Sequence, residues 1–197
     1  MQWKVQLFQL NYDQREYDAV EETLRSGWIT MGPKTQGFES AYAAELGEGS
    51  MCLAVANGTA ALHMAVLAAG AGPGDEVIVP SLTFIADLNS VRVSGADAVL
   101  ADVTSITDWS MDPADIEAKI TPRTKAVMIV HYAGYACDMD PILELCRRHN
   151  VWPSSKTAPM RTAGPIKDEN WGLSGKYPHG ASSPTKIWRS AKGAWSP

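Results

Sequence analysis

The turn Asn57-Gly58-Thr59-Ala60 is where the sequence sets polar groups for chemistry. It joins a short apolar run, Cys52 to Ala56, directly to an Ala-rich helical pattern, Thr59 to Ala69. Asn57 and Gly58 tolerate unusual backbone angles. Thr59 brings a hydroxyl beside the first-turn N–H groups of the helix, which have no intrahelical acceptor and lie at the positive end of the dipole. Strand, glycine turn, hydroxyl and helix start together make a seat for a phosphate. A plain strand-to-helix turn with Thr59 as its cap fits the same residues. Phe84 stands at the mouth of a later helix, in the loop Ser81-Leu82-Thr83-Phe84, and His131 closes a buried apolar run.

Around these residues the sequence repeats a strand-then-helix order. Tyr17, Val20 and Leu24 recur at helical spacing within a first helix, Gln9 to Arg25, with Asn11 and Asp13 as candidate caps. Ser26-Gly27 stops it, and Gly27 to Pro33 reads as an irregular linker. Thr35 to Leu46 is a second helix, with Phe38, Tyr42 and Leu46 on one face. Cys52–Ala56, Glu76–Pro80, Ala98–Val103 and Lys125–His131 read as buried strands. Thr59–Ala69, Thr83–Ser94, Ala114–Ile120 and Asp140–Arg148 read as helices, the third started by Asp112-Pro113. The alternation predicts an α/β fold, a mostly parallel sheet with helices on both faces. Ligands of such sheets sit at the carboxyl ends of the strands, so Asn57–Ala60, Ser81–Phe84 and 131–134 share one rim.

The 197 residues suffice for one good core or one domain plus an appendage, and 45% hydrophobic content implies a globular chain. A net charge of −5 argues against a nucleic-acid partner. Cys52, Cys137 and Cys146 are an odd set without metal spacing, which fits a reducing cytoplasm. No apolar run is long enough to span a bilayer, and the N-terminus is not a signal peptide. The composition breaks near Asn150. Residues 1–150 carry 10 Lys+Arg against 20 Asp+Glu, whereas residues 151–197 carry 7 against 2. From Trp152 to Pro197 no core-forming segment is read, and a disordered tail is expected. The expected division is therefore 1–150 and 151–197.

Five segments resemble, in order, the DegT/DnrJ/StrS group of nucleotide-sugar aminotransferases. They are S-G-W-I-T-M-G-P-K-T-Q-G-F-E, A-N-G-T-A-A-L-H-M-A, G-P-G-D-E-V-I-V-P-S-L-T-F-I-A, M-D-P-A-D-I-E-A-K-I-T-P-R-T-K-A-V and V-H-Y-A-G-Y-A-C-D-M-D. The resemblance covers about three quarters of the chain. It implies the large domain of an aspartate-aminotransferase-like fold (PLP fold type I), truncated, with active sites shared in a homodimer. It implies pyridoxal 5'-phosphate as cofactor, with Gly58 and Thr59 on the phosphate and Phe84 stacked on the ring. Trp28 to Pro33 matches a segment near the substrate mouth. His131 matches an H-x-x-G segment, and a hydrogen-bonded structural histidine is an equal reading. Glutamate as amino donor and a nucleotide-linked keto sugar as acceptor follow from the same resemblance.

The family's chemistry also needs a carboxylate on the pyridine nitrogen and a lysine that forms the Schiff base. The family carries them in E-D-x-A-H-A and in a later F-S-x-x-x-K before G-E-G-G. Neither stands in residues 151–197. Back-translated and shifted by one base, Val151 to Arg161 can read L-A-V-V-E-D-C-A-H-A. Lys167 to Ser174 can read G-R-K-L-G-x-F-G, and Ser182 to Trp195 F-A-N-K-D-L-A-x-G-E-G-G-M. The expectation is an out-of-frame tail after Asn150, ended by a chance stop, in which Lys186 is accidental. No residue is then assigned as catalytic, and this chain is expected to be inactive. Two other readings stay open: a cofactor-dependent sugar dehydratase of the same group, with histidine for the lysine, and a non-catalytic binding or regulatory fragment. The shifted F-A-N-K disfavours the dehydratase.

Overall fold

The computed structural model describes residues 11–46, 51–132 and 135–157. The chain order is α1 (Gln14–Arg25), α2 (Pro33–Leu46), α3 (Gly58–Ala68), β1 (Glu76–Pro80), α4 (Ala86–Val93), β2 (Asp97–Ala101), α5 (Pro113–Lys119), β3 (Thr124–His131), α6 (Met139–His149) and β4 (Trp152–Thr157). The four strands form one parallel sheet in the order β2-β1-β3-β4.

Two apolar layers enclose the sheet, as a parallel sheet requires. On one face Ile78, Val127 and Ile129 pack with Ile116 of α5 and Ile142, Leu145 and Cys146 of α6. On the other Val77, Val79 and Met128 pack with Leu62 and Val66 of α3 and Val91 of α4. Successive strand residues thus serve opposite layers. β1 and most of β3 are buried along their length, which is why they read as continuous apolar runs.

Helix starts follow local polar chemistry. Asp13 caps α1: its carboxylate accepts the Arg15 N–H while Glu16 accepts the Asp13 N–H at 2.8 Å, a reciprocal capping box. The first helix therefore begins at Gln14, and residues 9 and 10 of its expected span lie outside the described residues. Asp112 accepts the Ala114 N–H at 2.9 Å ahead of Pro113, as the Asp-Pro signal predicted. Asn150 ends α6 in the left-handed conformation at φ 54°. At the amino end of the sheet the buried Glu76 carboxylate accepts from Thr121 Oγ1 and the Arg123 guanidinium. These bonds tie β1 to the turn before β3.

Two expectations are overturned. Cys52 to Ala56 is not a strand. A strand exists only through a pairing neighbour, and none is present among the described residues. The Ala54 N–H instead donates to Glu39 Oε1 at 2.8 Å. Conversely, Trp152 to Thr157, read as part of a tail without core-forming segments, forms β4 on β3. Pro153 is tolerated because β4 is the outermost described strand on its side. α4 also starts later than expected, at Ala86, and the Thr83 hydroxyl ahead of it donates to the Asp87 carboxylate in its first turn.

Ile78 is fully buried between the layers. Ile78→Ala is expected to destabilise the chain by about 2–5 kcal/mol, read as a lower denaturant midpoint with an unchanged slope.

Candidate functional site

α3 reaches β1 through a short turn and therefore runs back along it, so its first residues lie level with the carboxyl end of β1. Asn57, extended at φ −160°, is the N-cap, and its side chain accepts the Ala60 N–H at 2.9 Å. Thr59 is therefore not the cap, since Asn57 has already taken that place. Gly58 is the first residue of the helix and buried, and Thr59, the second, is exposed. The N–H groups of Gly58 and Thr59 precede the first intrahelical bond, Ala61 N–H to Asn57 C=O.

Phe84 lies in the loop after β1, past Ser81-Leu82-Thr83, and is 69% exposed, with its neighbour Ile85 at 59%. An aromatic ring so open beside a strand end offers a stacking face. Behind it the buried Asp87 accepts from Thr83 Oγ1. Ser81 Oγ bonds Asp102 Oδ1 at 3.2 Å across the same rim.

His131 ends β3 and is fully buried. Its Nδ1 accepts the Cys137 N–H at 3.1 Å, so in the neutral ring the proton is on Nε2. Nε2 is buried without a hydrogen-bond partner among the described residues. Burial pushes the His131 pKa down, so the ring is neutral at pH 7. Residues 133 and 134, the end of the expected H-x-x-G segment, lie outside the described residues.

Gly58, Thr59, Phe84 and His131 thus all stand at the carboxyl side of the sheet. These groups are compatible with a phosphorylated aromatic cofactor: helix-start N–H groups ahead of the first intrahelical bond, a hydroxyl, an exposed aromatic ring, and a buried N–H donor at the end of β3. Trp28 lies in the segment between α1 and α2. It is 58% exposed and its indole N–H donates to the Met31 carbonyl at 3.1 Å.

A concavity of about 540 Å³ went unread in the sequence. Trp109, Ser110, Tyr132, Tyr135, Cys137 and Asp138 are among its walls, and Gly58, Thr59 and Phe84 are not. Trp109 and Tyr132 meet edge-to-face with centroids 5.3 Å apart. The two loops come from β2 and β3, far apart in sequence, so no local motif announces the contact.

Residues 11–157 match the model of the DegT/DnrJ/EryC1/StrS aminotransferase family. The chain is 52% identical over 140 residues to GDP-perosamine synthase of Caulobacter vibrioides, covering 71% of this chain and 37% of that protein. It is 47% identical over 137 residues to the spore coat polysaccharide biosynthesis protein SpsC of Bacillus subtilis, covering 70% and 35%. Among solved structures it is similar to the PLP-form of Spr1654 from Streptococcus pneumoniae, with a TM-score of 0.70 and 29% identity over 79% of this chain and 39% of that one. The chain therefore spans less than two fifths of the length of these relatives.

Two measurements check the site. Burial pushes the Cys146 thiol up to about 12 and also raises Cys137 and Cys52, but Cys52 is only half-buried and so within a reagent's reach. Cys52 is expected to label first with a thiol reagent in the native state, and Cys137 and Cys146 only on unfolding. His131 binds its proton less readily folded than unfolded, so its contribution to stability is full above the unfolded pKa, about 6.5. That contribution declines as pH falls from there toward the lower folded value. Denaturant midpoints measured down from pH 7.5 should show the decline, and His131→Gln should remove that part of the slope.

Proposed function

Because the chain belongs to the DegT/DnrJ/EryC1/StrS aminotransferase family, we propose that it derives from an enzyme that moves an amino group, from a donor such as glutamate, to a keto group on a nucleotide-linked sugar. The observation that carries the reading is the Asn57–Thr59 turn at the start of α3, on the same rim as Phe84, within the matched residues. The name of one relative, GDP-perosamine synthase of Caulobacter vibrioides, contains a nucleotide-linked sugar. SpsC names polysaccharide biosynthesis, which makes cell-envelope polysaccharide one setting for the reaction.

Pyridoxal 5'-phosphate is the cofactor of the family and, when bound, supplies an electron sink. In this reading Gly58 and Thr59 hold the phosphate through N–H groups and a hydroxyl, at the end of the helix where an anion is favoured. Phe84 stacks on the ring and fixes its plane. The buried Nε2–H of His131 stays on the ring at neutral pH and serves as a fixed donor, not as a base. A homodimer with shared sites belongs to the same reading.

This chain alone does not complete the reaction. Residues 151–197 contain neither E-D-x-A-H-A nor the F-S-x-x-x-K segment. Their charge balance is the reverse of the preceding residues, and the shifted frame can spell E-D-C-A-H-A and a lysine ahead of G-E-G-G. We read them as an out-of-frame translation. Lys186 and the longer shifted segments lie outside the described residues.

Sequencing the coding DNA across Asn150 and Val151 tests this. An added base that restores E-D-x-A-H-A and the later lysine supports a misread aminotransferase; bases that spell neither would end the frame reading. With the frame restored, Thr59→Val is expected to weaken cofactor affinity about tenfold or more, the loss of a hydrogen bond to a charged group. Equilibrium dialysis with pyridoxal phosphate reads it. Undiminished affinity would remove Thr59 from the phosphate seat.

A further inference from the structure

The sheet itself supplies a judgement on which reading frame built β4. The register sets Ala126 beside Trp152, Val127 beside Pro153, Met128 beside Ser154, Ile129 beside position 155, Val130 beside position 156 and His131 beside position 157. All six β3 partners are buried. Ala126 and Met128 belong to the α3–α4 layer, Val127 and Ile129 to the α5–α6 layer. A strand laid in this register meets apolar surface on both sides over positions 152 to 155, and such a strand is expected to be apolar throughout that stretch. The encoded Trp152-Pro153-Ser154-Ser155 is not. Ser154 is buried at 7% exposure opposite Met128, and Pro153 brings no N–H to the ladder.

The genetic code limits what the other frame can hold here. A codon formed from the last base of Val151 and the first two of Trp152 ends in TG and encodes Leu, Met or Val. The last base of Trp152 and the first two of Pro153 give GCC, which is alanine with no freedom. Each serine coded as TCN gives a codon ending in TC, which encodes only Phe, Leu, Ile or Val. The last base of Lys156 with the first two of Thr157 gives Asn or Asp. With TCN codons at both serines the shifted frame is apolar over positions 152 to 155, and with either lysine codon it carries an amide or carboxylate at position 157. One base restores the frame without altering the residue count, so the register stays as it is.

Resting on the out-of-frame reading above, we infer that the strand this sheet is built to take at positions 152–157 is the one in the shifted frame. The frame change then falls at the junction between the C-cap of α6 at Asn150 and β4, within the codon of Val151. Val151 is buried in the α5–α6 layer and its N–H bonds the Cys146 carbonyl at 2.9 Å, so the backbone is held in place up to that junction. Position 157 becomes a polar rim position level with His131, on the side of the sheet where Gly58, Thr59 and Phe84 stand.

Two measurements decide it. The first is the codon choice at Ser154 and Ser155. TCN codons are expected at both; an AGC or AGT codon at either puts Lys, Gln, Glu or a stop there and overturns the inference. This failure is distinct from that of the frame reading, which the segments downstream of 157 decide. The second needs no DNA. In the full chain Ser154→Val, alone and with Pro153→Ala, is expected to raise the melting midpoint by about 3 °C or more and slow exchange of the amides of residues 126–131. Where the melt is too broad to give a midpoint, the exchange rates decide alone. Unchanged or faster exchange with both variants means that the encoded strand is the one the sheet fits, and the inference is wrong.

Discussion

Burial of β3 on both faces is the constraint from which the rest follows. Val127 and Ile129 face one helical layer, Ala126 and Met128 the other, so neither layer can form without the strand between them. The parallel direction then dictates that every connection returns over a face. This return brings the start of α3 and the loops after β1 and β3 to one rim. The polar groups at that rim are thus placed by the packing of buried apolar residues away from it.

The interior was legible because burial on both faces leaves an unambiguous trace. Glu76-Val77-Ile78-Val79-Pro80 and the run to His131 carry little that could be anything but core strand. The Asn57 turn and the Asp112-Pro113 start were legible for a local reason: capping depends on residues within a few positions of each other. The capping role itself went to Asn57 and not Thr59, a choice made by backbone angles that composition does not report.

The failures share a cause as well. Cys52 to Ala56 has the composition of a strand, but pairing is a property of two segments, and the second is not among the described residues. Trp152 to Thr157 has the composition of a loop, and it is drawn into the sheet because the buried flank of β3 presents unpaired N–H and C=O groups. The Trp109–Tyr132 contact joins loops from β2 and β3 that the sequence separates. In each case the deciding partner lies outside any local window.

The Glu76–Thr121–Arg123 cluster has a consequence for how such a protein can change. It fastens the amino end of the sheet with charge-assisted bonds, while the carboxyl end is closed by loops and open side chains such as Phe84. The two ends are chemically decoupled, with the apolar strands as insulation between them. Substitutions in the rim loops can accumulate without loosening the fastening below, so the rim can change its chemistry while the scaffold stands still. A change at Glu76, by contrast, would loosen the fastening of β1 to the turn before β3 and leave the chemistry of the rim loops as it is.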